Sequence, residues 1–438
     1  MKLLFSLRAH KRGSQEEGLP LDERAAGALH RCARRSLLRW SSGRASLRHG
    51  PGRRPTYRRG FSPVGGSRKD HGSGPRVTNR HKQRLSHDVR LEITEDLLRC
   101  PWRAALPGCC PSAGIVSRIA GRSWRMKTIV TLTLNPSIDG SAEADLVRPV
   151  HKIRTSDERY DPGGGGINVA RVIRELGGPA LAMYLAGGAT GSVLDDLLET
   201  ALIAHRRIPI EDHTRISHAV FERSSGEEYR FVPAGPLVME WEWRAILEAL
   251  EDIDCEYLVA SGSLPRAVPD DFYETVAALA HRKGIRLVLD TSGSALRAGL
   301  VRGVHLVKPS LGELEALAGR RLADGAAQEA AARELIDAGS AEMVALTLGR
   351  DGALLVTAQA AIRQPALDVV AKSAVGAGDS FVAAMTLALA QGRDEQDAFA
   401  YGMAAGAAAV LSPGTGLCRR EDVERLYGEL TRQIAPRP

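Results

Sequence analysis

Between residues 128 and 411, short β-rich apolar runs take turns with segments of helical period. TIVTLTL (128–134) precedes a helical pattern from Ile167, and LAMYLAGG (181–188) precedes SVLDDLLETAL (192–202). EYLVASG (256–262) leads into DDFYETVAALAHRKG, IRLVLD (285–290) into SALRAGL, and VHLVKPS (304–310) into LGELEALAG. EMVALTLG (342–349) is followed by a second run, ALLV, and two Ala-rich helices are predicted from about Ala377 to Leu411. Strand and helix in alternation predict one mostly parallel sheet covered by helices on both faces, with ligands at the carboxyl ends of its strands.

Two stretches break this rhythm with a period of two, 141–162 and 216–235, the second carrying SSGE as a hairpin turn. They predict a small β-sheet lid over the strand ends. The outer face and edges of such a lid need covering, for which a second subunit is the usual answer.

Charge divides the chain. Of 59 basic and 52 acidic residues, 27 and 9 fall in residues 1–125, leaving 32 and 43 for residues 126–438. The front segment is rich in Arg, Gly, Ser and Pro and has no sustained periodicity, so it is expected to be a disordered basic extension. Its composition also suits a transit peptide or a nucleic-acid tail, but it holds acidic residues, four of the six cysteines and no regular aromatic interleaving. The plainer expectation is that the functional protein begins near Met126. No run reaches the roughly 18 apolar residues of a membrane span. Cys255 and Cys418 stand far apart with no CxxC spacing, which suits a reducing cytoplasm, and metal-ligand spacings are absent.

Several glycine-rich stretches carry candidate chemistry. The four glycines of DPGGGGINVARVIRELGG (161–178) stand directly before an amphipathic helix, where glycine's entropic cost is tolerated only for unusual dihedrals or close approach, of a ligand for example. In AVGAGDSFVAAMTLAL (374–389), Gly376, Ala377 and Gly378 would form a helix N-terminus with free N–H groups, a place for phosphate or developing negative charge. Asp379 in its first turn is either a helix-dipole partner or a proton acceptor for a substrate hydroxyl. TLGRDGALLV (347–356) and SGSLP (261–265) read singly as tight turns. GxGxxG, GxxxxGK[ST], GxSxG and HExxH are all missing, which argues against a Rossmann dehydrogenase, a P-loop NTPase, an α/β-hydrolase and a zincin.

Taken together, TLTLNPSID (131–139), PGGGGINVAR (162–171), AGGATG (186–191), SGSLP (261–265), LVKPSLGEL (306–314), TLGRDGAL (347–354) and VGAGDSF (375–381) resemble, in order and spacing, the PfkB/ribokinase family of carbohydrate kinases. The resemblance runs from about Lys127 to Tyr427. It implies a ribokinase-like three-layer α/β/α domain with a β-sheet lid, a cytoplasmic enzyme using ATP and Mg²⁺, and a homodimer formed through the lids. The four-glycine run favours the 6-phosphofructokinase branch, which makes fructose 1,6-bisphosphate. The alternatives are a 1-phosphofructokinase, a tagatose-6-phosphate kinase, and a non-catalytic sugar-phosphate-binding regulator.

The resemblance also implies roles. Asp139, Gly164, Gly165 and Asn168 would hold sugar hydroxyls, with Ser263 beside the sugar, and Lys152, Arg154 and Arg215 would meet its phosphate. Lys308, Ser310, Thr347, Gly349 and Gly352 would line ATP, and Glu313 would organise Mg²⁺ through water. Asp379 would be the base and Gly376, Ala377 and Gly378 the anion hole. A K⁺ site is implied near Ser373, Val375, Ala409, Ser412, Gly414 and Gly416. The chain departs from the family's NxxE motif, which reads SLGE here, so that Ser310 stands where asparagine is usual.

Overall fold

The computed structural model describes residues 126–434; the expected basic extension, 1–125, lies outside the described residues. Nine strands make the main sheet: β1 (Ile129–Thr133), β4 (Ala180–Gly187), β5 (Ala204–Ile210), β8 (Tyr257–Ser261), β9 (Arg286–Asp290), β10 (Val304–Val307), β11 (Ala341–Thr347), β12 (Ala353–Thr357) and β13 (Ala361–Gln364). Their spatial order is β13-β12-β11-β10-β9-β8-β1-β4-β5. Pairing is parallel from β11 to β5 and antiparallel at β11–β12 and β12–β13.

Side-chain alternation divides the interior into two layers. Val130 and Leu132, Leu258 and Ala260, and Val344 and Leu346 face one way, onto α3 (Glu240–Glu251), α4 (Phe272–Lys283), α5 (Gly293–Gly299), α6 (Leu311–Ala318) and α7 (Gly325–Asp337). Ile129, Tyr257 and Val259, and Met343 and Ala345 face the other way, onto α1 (Gly165–Glu175), α8 (Ala377–Ala390), α9 (Glu395–Ala409) and α10 (Arg420–Ile434). A smaller cluster seats α2 (Gly188–Thr200) through Leu194 and Leu198 against Tyr184 and Ala186. Strands buried on both faces must be apolar at nearly every position, which is why the parallel runs were so conspicuous in the sequence.

The lid is a second sheet, with β2 (Ser137–Ala144), β3 (Ser156–Gly163), β6 (Arg215–Glu222) and β7 (Glu228–Phe231) in the order β3-β2-β6-β7. Its first strand begins four residues earlier than the sequence pattern suggested, because Asn135 and Pro136 make only a brief break after β1. Lys152 and Arg154 lie on the exposed connection between β2 and β3, and Arg215 is the first residue of β6 rather than part of a preceding loop.

The four glycines meet their own protein before they meet any ligand. Gly164 has φ +106°, a region L side chains rarely adopt. A Cβ on Gly165 would lie 2.2 Å from Ser261 Oγ, and one on Gly166 would lie 2.7 Å from the Leu132 carbonyl oxygen. The run therefore lets α1 start flush against the ends of β1 and β8.

Gly166→Ala should accordingly destabilise the fold by about 2 kcal/mol or more, since backbone must move to admit the methyl. Gly312→Ala, on α6 with nothing within 4 Å of the added carbon, should stabilise it by up to about 1 kcal/mol. Urea unfolding of the two variants checks the contrast.

Candidate active site

The strand ends and the lid enclose a cavity of about 260 Å³. From the strand side it is lined by Gly164, Asn168, Val375, Gly376 and Asp379, and from the lid by Asp139, Arg215, His218 and Arg230. The sequence-predicted residues thus separate into those brought together here and those placed elsewhere.

Asp379 sits in the first turn of α8, whose N-cap Gly376 has φ +71°, a left-handed conformation that L side chains rarely adopt. The Asp379 Oδ2 accepts a hydrogen bond from Asn168 Nδ2 at 2.9 Å. Burial, with the nearby Asp290 carboxyl adding to it, raises the Asp379 pKa to about 7, while Asn168 and Lys308 pull it back. A carboxylate that takes up a proton near neutrality, at a helix terminus offering free N–H groups, can accept a hydroxyl proton while the amides meet negative charge.

On the lid, Asp139 accepts from Ser137 Oγ at 2.5 Å, and its carboxyl fills the space that a Cβ on Gly163 would need. Burial raises its pKa above the usual carboxylate range. Arg215 donates to the carbonyls of Asn135 at 2.9 Å, Pro136 at 3.4 Å and Pro233 at 2.9 Å, so it fastens the lid to the exit of β1 as well as facing the cavity. Ser263 is tied to the same exit, accepting from Asn135 Nδ2 at 3.2 Å. Lys152, Arg154 and Gly165 do not line the cavity.

Lys308, 7% exposed at the end of β10, pairs with Asp290 Oδ1 at 3.1 Å. Its ammonium lies 3.5 Å from where a Cβ on Gly378 would stand, which sets it beside the α8 N-terminus. Burial works against its charge, but Asp290 and the more distant Glu313 more than offset that and raise its pKa.

Ser310 and Glu313 form a capping box on α6. Glu313 Oε2 accepts from the Ser310 N–H at 2.7 Å, and Ser310 Oγ accepts from the Glu313 N–H at 3.4 Å. Serine at this position is an efficient N-cap, and S-x-x-E is the sequence signature of the box. Thr347 follows alongside, its N–H donating to Pro309 O at 2.9 Å. Gly349 and Gly352, at φ +59° and +93°, turn the chain into the antiparallel β12.

The loop holding Ser373 and Val375 is clamped to the end of α9 by the Lys372 N–H on the Val410 carbonyl at 2.7 Å. Ser412 Oγ donates to Leu417 O at 2.9 Å, Gly416 N donates to Pro413 O, and Gly414 packs on Ser141. The turn carrying Ala409 and Ser412 is thereby held beside Ser373, while Gly414 and Gly416 make their contacts within the following loop and with Ser141. Among the described residues no group of three His, Cys, Asp or Glu side chains is disposed to hold a metal ion.

Residues 132–422 match the profile of the pfkB family carbohydrate kinases. The chain belongs to that family. It is 46% identical over 301 residues to the ATP-dependent 6-phosphofructokinase isozyme 2 of Mycobacterium tuberculosis, covering 68% of this chain and 88% of that protein. It is 41% identical over 309 residues to the enzyme of the same name from Escherichia coli, covering 70% of this chain and all of that one. The crystal structure of Escherichia coli phosphofructokinase-2 in complex with fructose-6-phosphate superposes with a TM-score of 0.66 at 40% identity, over 70% of this chain and all of that one. The expected ribokinase-like fold and the carbohydrate kinase chemistry both hold.

Sequence reasoning passed over Asp290, Arg171, Asp161, His218 and Arg230. Asp290 closes the run IRLVLD at the carboxyl end of a parallel strand, the place where an acidic residue signals a site. Arg230 and His218 had no signal beyond their lid strands.

Asp379→Asn should lower kcat by about 10²–10⁴, the scale of a positioned acid–base group, and leave substrate affinity within a few-fold. A carboxylate acting as base works only ionised, so with Asp379 in that role wild-type kcat/KM should fall as pH drops through about 7, where the free-enzyme carboxyl takes up its proton. Initial rates across pH 5–9 check both.

Proposed function

We propose that this carbohydrate kinase phosphorylates the 1-hydroxyl of fructose 6-phosphate from ATP, giving fructose 1,6-bisphosphate. The observation that carries the reading is the cavity itself, which the lid cations Arg215 and Arg230 line together with Asp379 and Gly376 at the α8 N-terminus. A dianionic phosphate at one end and a reacting hydroxyl at the other suit that polarity. The identity of 41–46% to two 6-phosphofructokinases supports the same substrate.

In this reading Asp139, the Gly164 backbone and Asn168 hold the sugar hydroxyls. Asp379 takes the proton of the 1-hydroxyl as its oxygen bonds to the γ-phosphorus and the bond to the ADP oxygen breaks. The Gly376, Ala377 and Gly378 amides and the Lys308 ammonium offset the charge spread over the phosphoryl oxygens. Lys308, Ser310, Thr347, Gly349 and Gly352 border the nucleotide. Glu313 gives one carboxylate oxygen to the cap of α6 and would use the other to organise, through water, the Mg²⁺ accompanying ATP. Ser373, Val375, Ala409, Ser412, Gly414 and Gly416 would hold K⁺ in this reading through hydroxyl and backbone carbonyl oxygens. Buried Cys255 and Cys418 are free thiols with pKa values pushed up to about 11 and 12 by burial, in keeping with a reducing cytoplasm.

Turnover of fructose 6-phosphate, fructose 1-phosphate and tagatose 6-phosphate should be compared directly, with fructose 6-phosphate preferred. Arg230→Ala should raise KM for fructose 6-phosphate about tenfold or more and KM for ATP less than about twofold, since only the sugar loses a charge-assisted contact. Preference for fructose 1-phosphate, or equal effects on both KM values, would overturn the assignment.

The lid also supports a homodimer. Cross-strand register puts Tyr160, Gly140, His218 and Phe231 in one row, with the Tyr160 and His218 rings meeting edge to face over Gly140 and with Tyr160 and Phe231 exposed. Its outer members Tyr160 and Phe231 point to the face of the lid opposite Asp139 and Asp161. Phe231→Asp should convert a dimer into monomers in sedimentation velocity.

A further inference from the structure

Arg171 lies on α1, one turn beyond Asn168, with its side chain 14% exposed. Its guanidinium has three acceptors. Nη1 donates to the Pro162 carbonyl at 2.9 Å and to Asn168 Oδ1 at 3.2 Å, and Nη2 donates to Asp161 Oδ1 at 3.3 Å. Asp161, itself 7% exposed, is held from two further sides, by Arg159 Nη2 at 3.0 Å and by Thr415 Oγ1 at 2.8 Å.

The amide of Asn168 has two ends of almost equal size and opposite polarity. Rotated by half a turn, it would set its carbonyl oxygen against the Asp379 carboxylate, replacing a hydrogen bond by the repulsion of two acceptors. Arginine offers five donors and no acceptor, so a guanidinium at the far end of the amide admits only one of the two orientations. We propose that Arg171 is a positioning residue for phosphoryl transfer, which by holding Asn168 Oδ1 turns the Asn168 amide nitrogen toward Asp379 and so fixes the carboxylate that receives the acceptor's proton. Asp161, anchored by Thr415 from the loop after α9, aims the guanidinium in turn. The inference rests on the assignment of Asp379 as the base.

Arg171 hydrogen-bonds Asn168 and not Asp379, so apart from its charge its effect on the reaction passes through Asn168, which a merely structural ion pair would not require. Asp379 is also faced by Asp290 and Asp139, which oppose its ionisation, and by Lys308, which favours it. Arg171 acts on Asp139 and Asp379 through its charge as well, and a substitution that keeps the charge separates that effect from the hydrogen bond to Asn168.

The test is a double-mutant cycle in the full chain, using whichever sugar phosphate the wild type phosphorylates best. Arg171→Lys keeps a cation for Asp161 but loses the planar fork, and it guards against the misfolding that Arg171→Met risks. It should lower kcat by about 5- to 50-fold, leave KM for ATP within about twofold, and move the acidic limb of the rate profile to higher pH. In an Asn168→Ala background the same substitution should change kcat less than about twofold. Losses that simply add would show that Arg171 acts independently of Asn168 and would overturn the proposal. A second readout needs no substrate. In apoprotein carrying ¹³C-labelled aspartate, the Asp379 carboxyl, assigned through Asp379→Asn, should titrate at higher pH in Arg171→Lys than in wild type, because it loses a fixed donor. An unchanged midpoint would overturn the proposal while leaving the substrate assignment intact.

Discussion

Three carboxyl groups, those of Asp139, Asp290 and Asp379, are withdrawn from water within range of one another, and each is pushed toward its neutral form by burial. Such a set survives only where opposing charges and donors are fixed around it, since an uncompensated buried charge costs several kcal/mol. Lys308 answers Asp290, Asn168 answers Asp379, and Ser137 and Arg215 answer Asp139. These partners arrive on β10, α1, β2 and β6, so the balance depends on several elements being in register at once. The site is thereby a consequence of the sheet's order, because only the β10-β9-β8-β1 succession brings the carboxyl ends of those strands beside the start of α8.

The central strands were legible because burial on both faces leaves a continuous apolar signature. β5, AHRRIPI, was not: it forms the sheet's edge, where two arginines and a proline are tolerated and no periodicity survives. The site divides the same way. Asp379 and Gly376 were readable because a helix N-terminus announces itself through glycine and a first-turn acid. Asn168 was readable only by family likeness. Arg171, beside it, looked like an ordinary polar position on an amphipathic helix, since nothing in a linear pattern tells a solvated arginine from one committed to three acceptors.

SLGE, the one motif that departs from the family, illustrates a different limit. A likeness to relatives makes Ser310 a lost amide at the nucleotide's edge, while local physics makes it a strong helix cap paired with Glu313. The two descriptions do not compete, because the residue that ends β10's connection also starts α6, and a single side chain can serve a helix terminus and the space beyond it.

The lid has a consequence for how the chain acquires its shape. Its central contact is the parallel pairing of β2 with β6, Ser137 beside Arg215, and between those residues lie α1, β4, α2 and β5. The lid therefore cannot condense as a local hairpin. β2 and β3 emerge from the ribosome well before the strand that completes them, and they must wait with an open edge while the βαβ unit behind them forms and carries β6 into place. The cavity therefore depends on a pairing of high sequence separation, and a chain in which β2 has not yet met β6 offers a bare strand edge for edge-to-edge association.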